Sequence, residues 1–395
     1  MEYRFSERIK NLKPSAIREI LKATGDPDMI SFAAGNPAPE AFPVEQLEEA
    51  SREIFEETPL LALQYGVTEG YEPLKKEVTD LLDKRLGIVG EGDSLMITSG
   101  ATQVMELTTK VLCNEGDIIL TESPSFIGSL NSFRSYGAEL KGIPMEDDGP
   151  DLDYLENFLK EEGNVKFLYT IPNFQNPTGI TMSLEKRRRL YSLACEYDFI
   201  ILEDNPYGAL RVSGEYIPDI KSLDREGRVI YAGTFSKTVA PGIRVGFVLG
   251  PESVLSKMAV GKQTEDVHTP LFSQLLVSRW LTENDIDEHI KEIRKIYRRK
   301  LDLMCSCIDR ELGDLVEYRK PEGGLFIWCR LKDSDDCREF VEKALEASVA
   351  VVPGTAFLTD EKESLCPYVR INFSTPTDSE IKEGVKRLGE VLSRK

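Results

Sequence analysis

Apolar and polar positions fall into two regimes along this chain. Between about residues 90 and 250, short apolar runs recur at Ser94–Thr98, Asp117–Glu122, Lys166–Ile171, Phe199–Glu203, Val229–Ala232 and Val245–Leu249. Most are apolar throughout and do not alternate, which is how strands covered on both faces read. Helical periodicity fills the gaps at Thr102–Leu112, Asp151–Glu161 and Leu184–Tyr197. Strands alternating with helices predict an α/β domain with a mostly parallel, doubly wound sheet.

The pattern changes near residue 286. Ile286–Leu312 reads as a long, charged, amphipathic helix. Apolar runs at Leu315–Arg319 and Leu325–Leu331 then flank the turn KPEGG. A helix is expected near Asp336–Ala347, short strands at Val349–Val352 and Tyr368–Phe373, and a last helix from Thr377. This predicts a smaller α+β unit, joined without a flexible linker.

Ligands of open α/β sheets bind where strands end. The segments after the predicted strands are rich in polar groups: Ser99–Gln103 (SGATQ), Pro172–Gly179 (PNFQNPTG), Asp204–Tyr207 (DNPY) and Ser236–Lys237. A lysine ending a buried strand is costly unless its amine is kept neutral or bonded to a carbonyl. Asp204 ends an equally apolar strand and needs a cationic partner, such as a pyridinium nitrogen. Asn176 and Tyr207 can hydrogen-bond a phenolate oxygen on the same ring. The turn at Gly100, with Ala101 and Thr102, opens a helix whose free N–H groups suit an anion. Ser236 and Arg244 add a hydroxyl and a guanidinium. Phe126 offers a ring to stack on. Read together as groups that follow the strands of one sheet, these residues describe a pyridoxal 5'-phosphate pocket.

Composition narrows the chemistry further. The 395 residues carry a net charge of -19, which argues against nucleic acid and anionic membranes as partners. No signal-peptide core precedes the fold and no window reaches roughly 18 apolar residues, so a cytoplasmic protein is expected. The seven cysteines are odd in number and scattered, and read as free thiols. His268 and His289 are the only histidines, and neither lies in a nucleophile motif. Histidine-based metal sites are thereby excluded, and no metal is expected.

At this point the motifs resemble a family. NPTG at Asn176–Gly179, EDNPY at Glu203–Tyr207, Ser236-Lys237 followed by GIRVGF at Gly242–Phe247, and YVRINFS at Tyr368–Ser374 are similar to the class I/II aminotransferases of pyridoxal-phosphate fold type I. SFAAGNPAPEAFP at Ser31–Pro43, LQYGVTEGYEPLKK at Leu63–Lys76, DVHTP at Asp266–Pro270 and KPEGGLFIW at Lys320–Trp328 resemble the 2-aminoadipate and kynurenine branch.

The resemblance implies an arm and part of the small domain in residues 1–42, a large cofactor domain in 43–289 and a small domain in 290–395. It implies that Lys237 bonds the cofactor and moves the proton, with Asp204 and Tyr207 beside it. Gly100, Ala101, Thr102, Ser236 and Arg244 would hold the phosphate, and Tyr65 would reach it from the partner of a homodimer. Phe126 would stack on the ring and Asn176 would contact its oxygen. Arg370 would clamp the substrate carboxylate, a two-point contact that suits guanidinium. A main-chain N–H at Gly35 or Asn36 would assist. Arg18 would meet the distal carboxylate of acidic substrates.

Three positions depart from the branch. Ala101-Thr102 stands where Ser-Gln is usual, Phe126 where tyrosine is usual, and Ala34-Gly35 where Gly-Gly is usual, followed by Asn36. An aminotransferase is expected, passing an amino group to a 2-oxo acid, with 2-oxoglutarate as acceptor in ping-pong order. A β-lyase or decarboxylase on the same pocket, or a noncatalytic regulatory domain, stay open as alternatives.

Overall fold

A computed structural model describes residues 3–10, 12, 28–360 and 365–393. A short strand, β1 (Ile30–Ser31), comes first. The large sheet follows, with strands β2 (Asp93–Thr98), β3 (Ile118–Ser123), β4 (Glu139–Glu146), β5 (Gly149–Pro150), β6 (Val165–Thr170), β7 (Ile200–Asp204), β8 (Val229–Thr234) and β9 (Gly246–Pro251). Their spatial order is β2-β9-β8-β7-β6-β3-β4-β5. β3, β4, β6, β7 and β8 run parallel, while β9 runs antiparallel to both its neighbours.

Successive residues of the central strands enter different cores. Ile119, Phe167, Leu202 and Ile230 join the largest cluster. Their neighbours Leu120, Leu168, Ile201 and Val229 pack with the helices Leu152–Glu162 and Leu184–Glu196 on the other face. Two covered faces explain the unbroken apolar runs.

β4 escaped the sequence pattern because it is half-exposed and carries Gly142 and Pro144 within a charged stretch. β9 was legible as a strand, but its direction was not. Arg244 therefore does not follow a strand; it precedes β9. The reversal of β9 brings its amino end to the edge where the parallel strands have their carboxyl ends.

The remaining strands are β10 (Val316–Tyr318), β11 (Phe326–Leu331), β12 (Val349–Ala350), β13 (Val352–Pro353) and β14 (Tyr368–Asn372). Four of them form the antiparallel order β10-β11-β14-β13, and β1 pairs in parallel with β12. The amino-terminal segment thus joins the carboxy-terminal lobe. Asp285 caps the long helix Ile286–Glu311 through the N–H groups of Asp287 and Glu288. That helix packs on the final helix, Asp378–Ser393.

One buried cation fixes the segment that leaves β6. Arg187 is fully buried and donates to the carbonyls of Met182, Ile217, Pro218 and Pro172 and to Asn173 Oδ1. Asp219 stands 3.6 Å from it. An Arg187→Met variant removes five donated hydrogen bonds and leaves the buried Asp219 carboxylate without its counter-charge. It is expected to lose about 3–5 kcal/mol of stability, read as a lower urea midpoint.

Candidate active site

The carboxyl edge of the large sheet and the strand β14 enclose a cavity of about 270 Å³. β8 delivers Lys237 to it. The lysine side chain is half-buried because it borders this space, but its amine is closely surrounded and donates to the Gly35 carbonyl at 2.9 Å. Burial, with help from the Arg244 and Arg370 charges, brings its pKa down from 10.5 to about 8, against an opposing pull from Asp204.

Asp204 ends β7 and is 4% exposed. Its Oδ2 accepts a 2.8 Å bond from Tyr169, whose hydroxyl in turn accepts from Ser129. Its Oδ1 is buried with no partner. Burial raises its pKa to about 7, opposed by the Tyr169 bond and the Lys237 charge. A buried carboxylate oxygen without a donor marks a place where a ligand donor fits.

Arg370 lies on β14 and is 1% exposed. Nη1 donates to Asn176 Oδ1 at 2.8 Å and Nη2 to the Ala33 carbonyl at 2.7 Å, while Nε has no partner. The guanidinium sits 4.1 Å from the Phe326 ring centre and 4.9 Å from that of Phe357. Burial lowers its pKa to about 10. Asn176 Nδ2 also reaches the Tyr207 hydroxyl at 3.4 Å, and burial raises the Tyr207 pKa. The close wall is Ala33–Asn36. A Cβ at Gly35 would stand 3.1 Å from the tip of the Phe326 ring, so any larger residue would require that ring to shift by a few tenths of an ångström.

At the far end Gly100 has φ +83° and precedes the helix Ala101–Leu112. A Cβ there would collide with Arg244, 2.2 Å from Nη2. Arg244 Nη2 donates to the Ser99 carbonyl at 2.8 Å. Ser236, Ala101, Thr102 and Phe126 also line the cavity.

The cavity therefore brings together Lys237, Asp204, Tyr207, Asn176, Arg370, Gly35 and Asn36 with Ala101, Thr102, Ser236, Arg244 and Phe126, while Gly100 does not line it and adjoins it through Arg244. Tyr65 is not among its lining residues; it is 79% exposed and meets His268 edge-on. Arg18 lies outside the described residues. Sequence reading missed Tyr169, Ser129 and Phe326. Tyr169 lies within an apolar strand and reads as core, and Phe326 carries no sequence signal beyond its glycine-rich turn. No group of three or more His, Cys, Asp or Glu among the described residues is placed to hold a metal. No helix of the described residues is long and apolar enough to cross a membrane.

This fold, with a lysine and an aspartate at the strand ends beside a glycine–helix anion cradle, defines the pyridoxal-phosphate enzymes of fold type I. The family described as aminotransferase class I and II matches residues 27–388, and the chain belongs to it. It is 42% identical over 394 residues to aromatic-amino-acid aminotransferase 1 of Thermococcus litoralis, covering 98% of this chain and 94% of that one. It is 38% identical over 391 residues to 2-aminoadipate transaminase of Thermus thermophilus, covering 98% and 96%. The crystal structure of Pyrococcus horikoshii kynurenine aminotransferase with PMP superposes with a TM-score of 0.94 at 40% identity, covering 98% of this chain and 96% of that one. The protein is a pyridoxal-phosphate-dependent aminotransferase.

The residues present fit that cofactor. The orphaned Asp204 oxygen suits a ring N–H, and the tight turn at Gly100 beside Arg244 suits a phosphate. The desolvated Lys237 amine suits an aldehyde.

Proposed function

We propose that the enzyme transfers the amino group of an L-amino acid of the 2-aminoadipate, aromatic or branched/aliphatic class to 2-oxoglutarate, in ping-pong order. The observation that carries this reading is Arg370. It is a buried guanidinium with no carboxylate partner among the described residues, facing the cavity that holds the Lys237 amine. A buried cation left so calls for an anionic ligand, and the α-carboxylate is common to donor and acceptor. One clamp serves both, so the two substrates take turns.

The remaining roles follow from the same cavity. Asp204 pairs with the cofactor ring nitrogen, Asn176 and Tyr207 bond its ring oxygen, and Phe126 stacks on it. Gly100, Ala101, Thr102, Ser236 and Arg244 hold the phosphate. When bound, pyridoxal phosphate supplies an aldehyde that bonds amines and a ring that withdraws electrons. Lys237 Nζ would be the amine that holds that aldehyde in the resting enzyme and, once free, the base placed to take a proton from the donor's Cα. The main chain at Gly35 and Asn36 closes the substrate side. Division into residues 1–42 with 290–395, and 43–289, accords with the pairing of β1 and β12. A cytoplasmic location goes with this reading.

A panel of L-amino acids against 2-oxoglutarate, scored by kcat/KM, tests the substrate class. Parallel double-reciprocal lines are expected, and intersecting lines would refute the order. One equivalent of 2-oxo acid should be released per site from a donor alone. A β-lyase would go on releasing 2-oxo acid beyond one equivalent, and a decarboxylase or a noncatalytic domain would release none.

The lowered Lys237 pKa gives a pH test. Below about 8 the amine is an unreactive ammonium, and above it the amine is free. Attachment of pyridoxal phosphate to stripped protein should quicken about tenfold per pH unit up to that point, then level off. Visible absorbance follows the reaction. A rate still climbing toward 10.5 would contradict the shift.

Homodimerisation is also proposed, with Tyr65 entering the neighbouring site. Leu60, Leu63, Tyr65 and Val67 are exposed in one segment, an apolar surface that calls for cover. Light scattering should give twice 44.4 kDa. Aspartates at Leu60 and Leu63 should give inactive monomers.

A further inference from the structure

Behind the turn at Gly100 lies a polar network whose members do not themselves line the cavity. Lys262 is fully buried on the helix Glu252–Gln263. Its amine donates to Gln103 Oε1 at 2.7 Å and to both oxygens of Asp266 at 2.8 Å. Asp266 Oδ2 also accepts from Ser99 Oγ at 2.6 Å and from Gln103 Nε2 at 2.9 Å. Gln103 Oε1 accepts the Ser99 backbone N–H at 2.9 Å. With Arg244 on its carbonyl, Ser99 is tied through its N–H, its hydroxyl and its oxygen.

We infer that Lys262 is a positioning residue for cofactor phosphate, acting through Asp266, Gln103 and Ser99 on the Gly100 turn. The inference rests on the phosphate reading of Gly100, Ala101, Thr102 and Arg244 proposed above. Two physical effects combine. The network fixes the residue before the turn, so that the helix N–H groups are aimed before any anion arrives. Lys262 also neutralises Asp266, a carboxylate that would otherwise repel a phosphate close by. Burying an ammonium is costly, and the segment Glu265–Asp266 supplies the charge that offsets it. A second tie, from Lys110 to Glu265 at 2.8 Å, joins that segment to the same helix.

The test compares two probes, pyridoxal 5'-phosphate and pyridoxal, titrated into full-length protein stripped of cofactor. Visible absorbance gives both dissociation constants. Lys262→Met is expected to weaken pyridoxal 5'-phosphate about 10- to 100-fold, the range for losing a charged hydrogen bond, and to leave pyridoxal within twofold. The double variant Lys262→Met/Asp266→Asn, which removes the stranded charge, should recover part of that loss. Ser99→Ala keeps the buried pair and tests the same path should Lys262→Met fail to fold; a loss of about threefold or more, confined to the phosphate probe, is expected. If the preference for the phosphate probe falls less than threefold in the variant that folds, or both probes weaken alike, Lys262 does not position the phosphate. Arg244→Ala separates the two readings. If it leaves the preference intact, the cradle assignment itself fails, whatever Lys262 does.

Discussion

Replacing Lys237 with alanine is expected to lower kcat for amino transfer at least about 10³-fold, the largest effect of any single change. Two losses add. In the proposed mechanism, the amine that would hold the aldehyde disappears, and so does the group that would take and return the Cα proton. General acid–base catalysis alone is worth roughly 10²–10⁴. No other lining residue supplies a neutral amine. Asp204 accepts from Tyr169 on one oxygen and has no partner on the other. The Lys237 pKa of about 8 also places the group near working pH, where a proton acceptor is most effective. Lys237→Arg should be equally inactive, because it keeps the charge and loses the nucleophile. Borohydride should fix the cofactor to the wild-type chain and to neither variant. A Lys237→Ala protein retaining a tenth of the activity would remove the lysine from the reaction.

The parts of this site that were legible in the sequence are those where a polar residue interrupts an apolar strand. Asp204 ends an apolar strand, Lys237 and Asn176 lie in the segments that follow one, and polar residues there need a reason. Arg244 was legible as a candidate but for the wrong geometric cause, since a run of residues does not reveal which way a strand points. Tyr169 was invisible because its ring packs in the core and only its hydroxyl reaches Asp204. The Lys262 network was equally hidden. Its members are near one another only after the helix Glu252–Gln263 packs on the helix Ala101–Leu112. β4 failed because its face toward solvent dilutes the apolar signal.

The second large effect concerns Arg370. An Arg370→Lys variant is expected to lose about 10- to 150-fold in kcat/KM, the range for losing a hydrogen bond to a charged group. Lysine keeps the positive charge and cannot make a planar two-point contact with a carboxylate. It also cannot reach Asn176 and Ala33 together while offering an edge to a ligand, as the guanidinium does. The loss should be similar for every amino acid donor, because the α-carboxylate is what they share. A primary amine without a carboxylate should react no more slowly with the variant than with the wild type. Affinity for pyridoxal phosphate should fall far less than kcat/KM, since Arg370 meets only Asn176 among the residues assigned to the cofactor and the phosphate contacts lie at the other end of the cavity. Phe326 and Phe357 sharpen the expectation. Their rings hold the guanidinium flat and keep water from it, so a carboxylate meeting its free edge is stabilised in a poorly screened place. Uneven losses, heavy for acidic donors and slight for aromatic ones, would instead assign Arg370 to the distal end of the substrate.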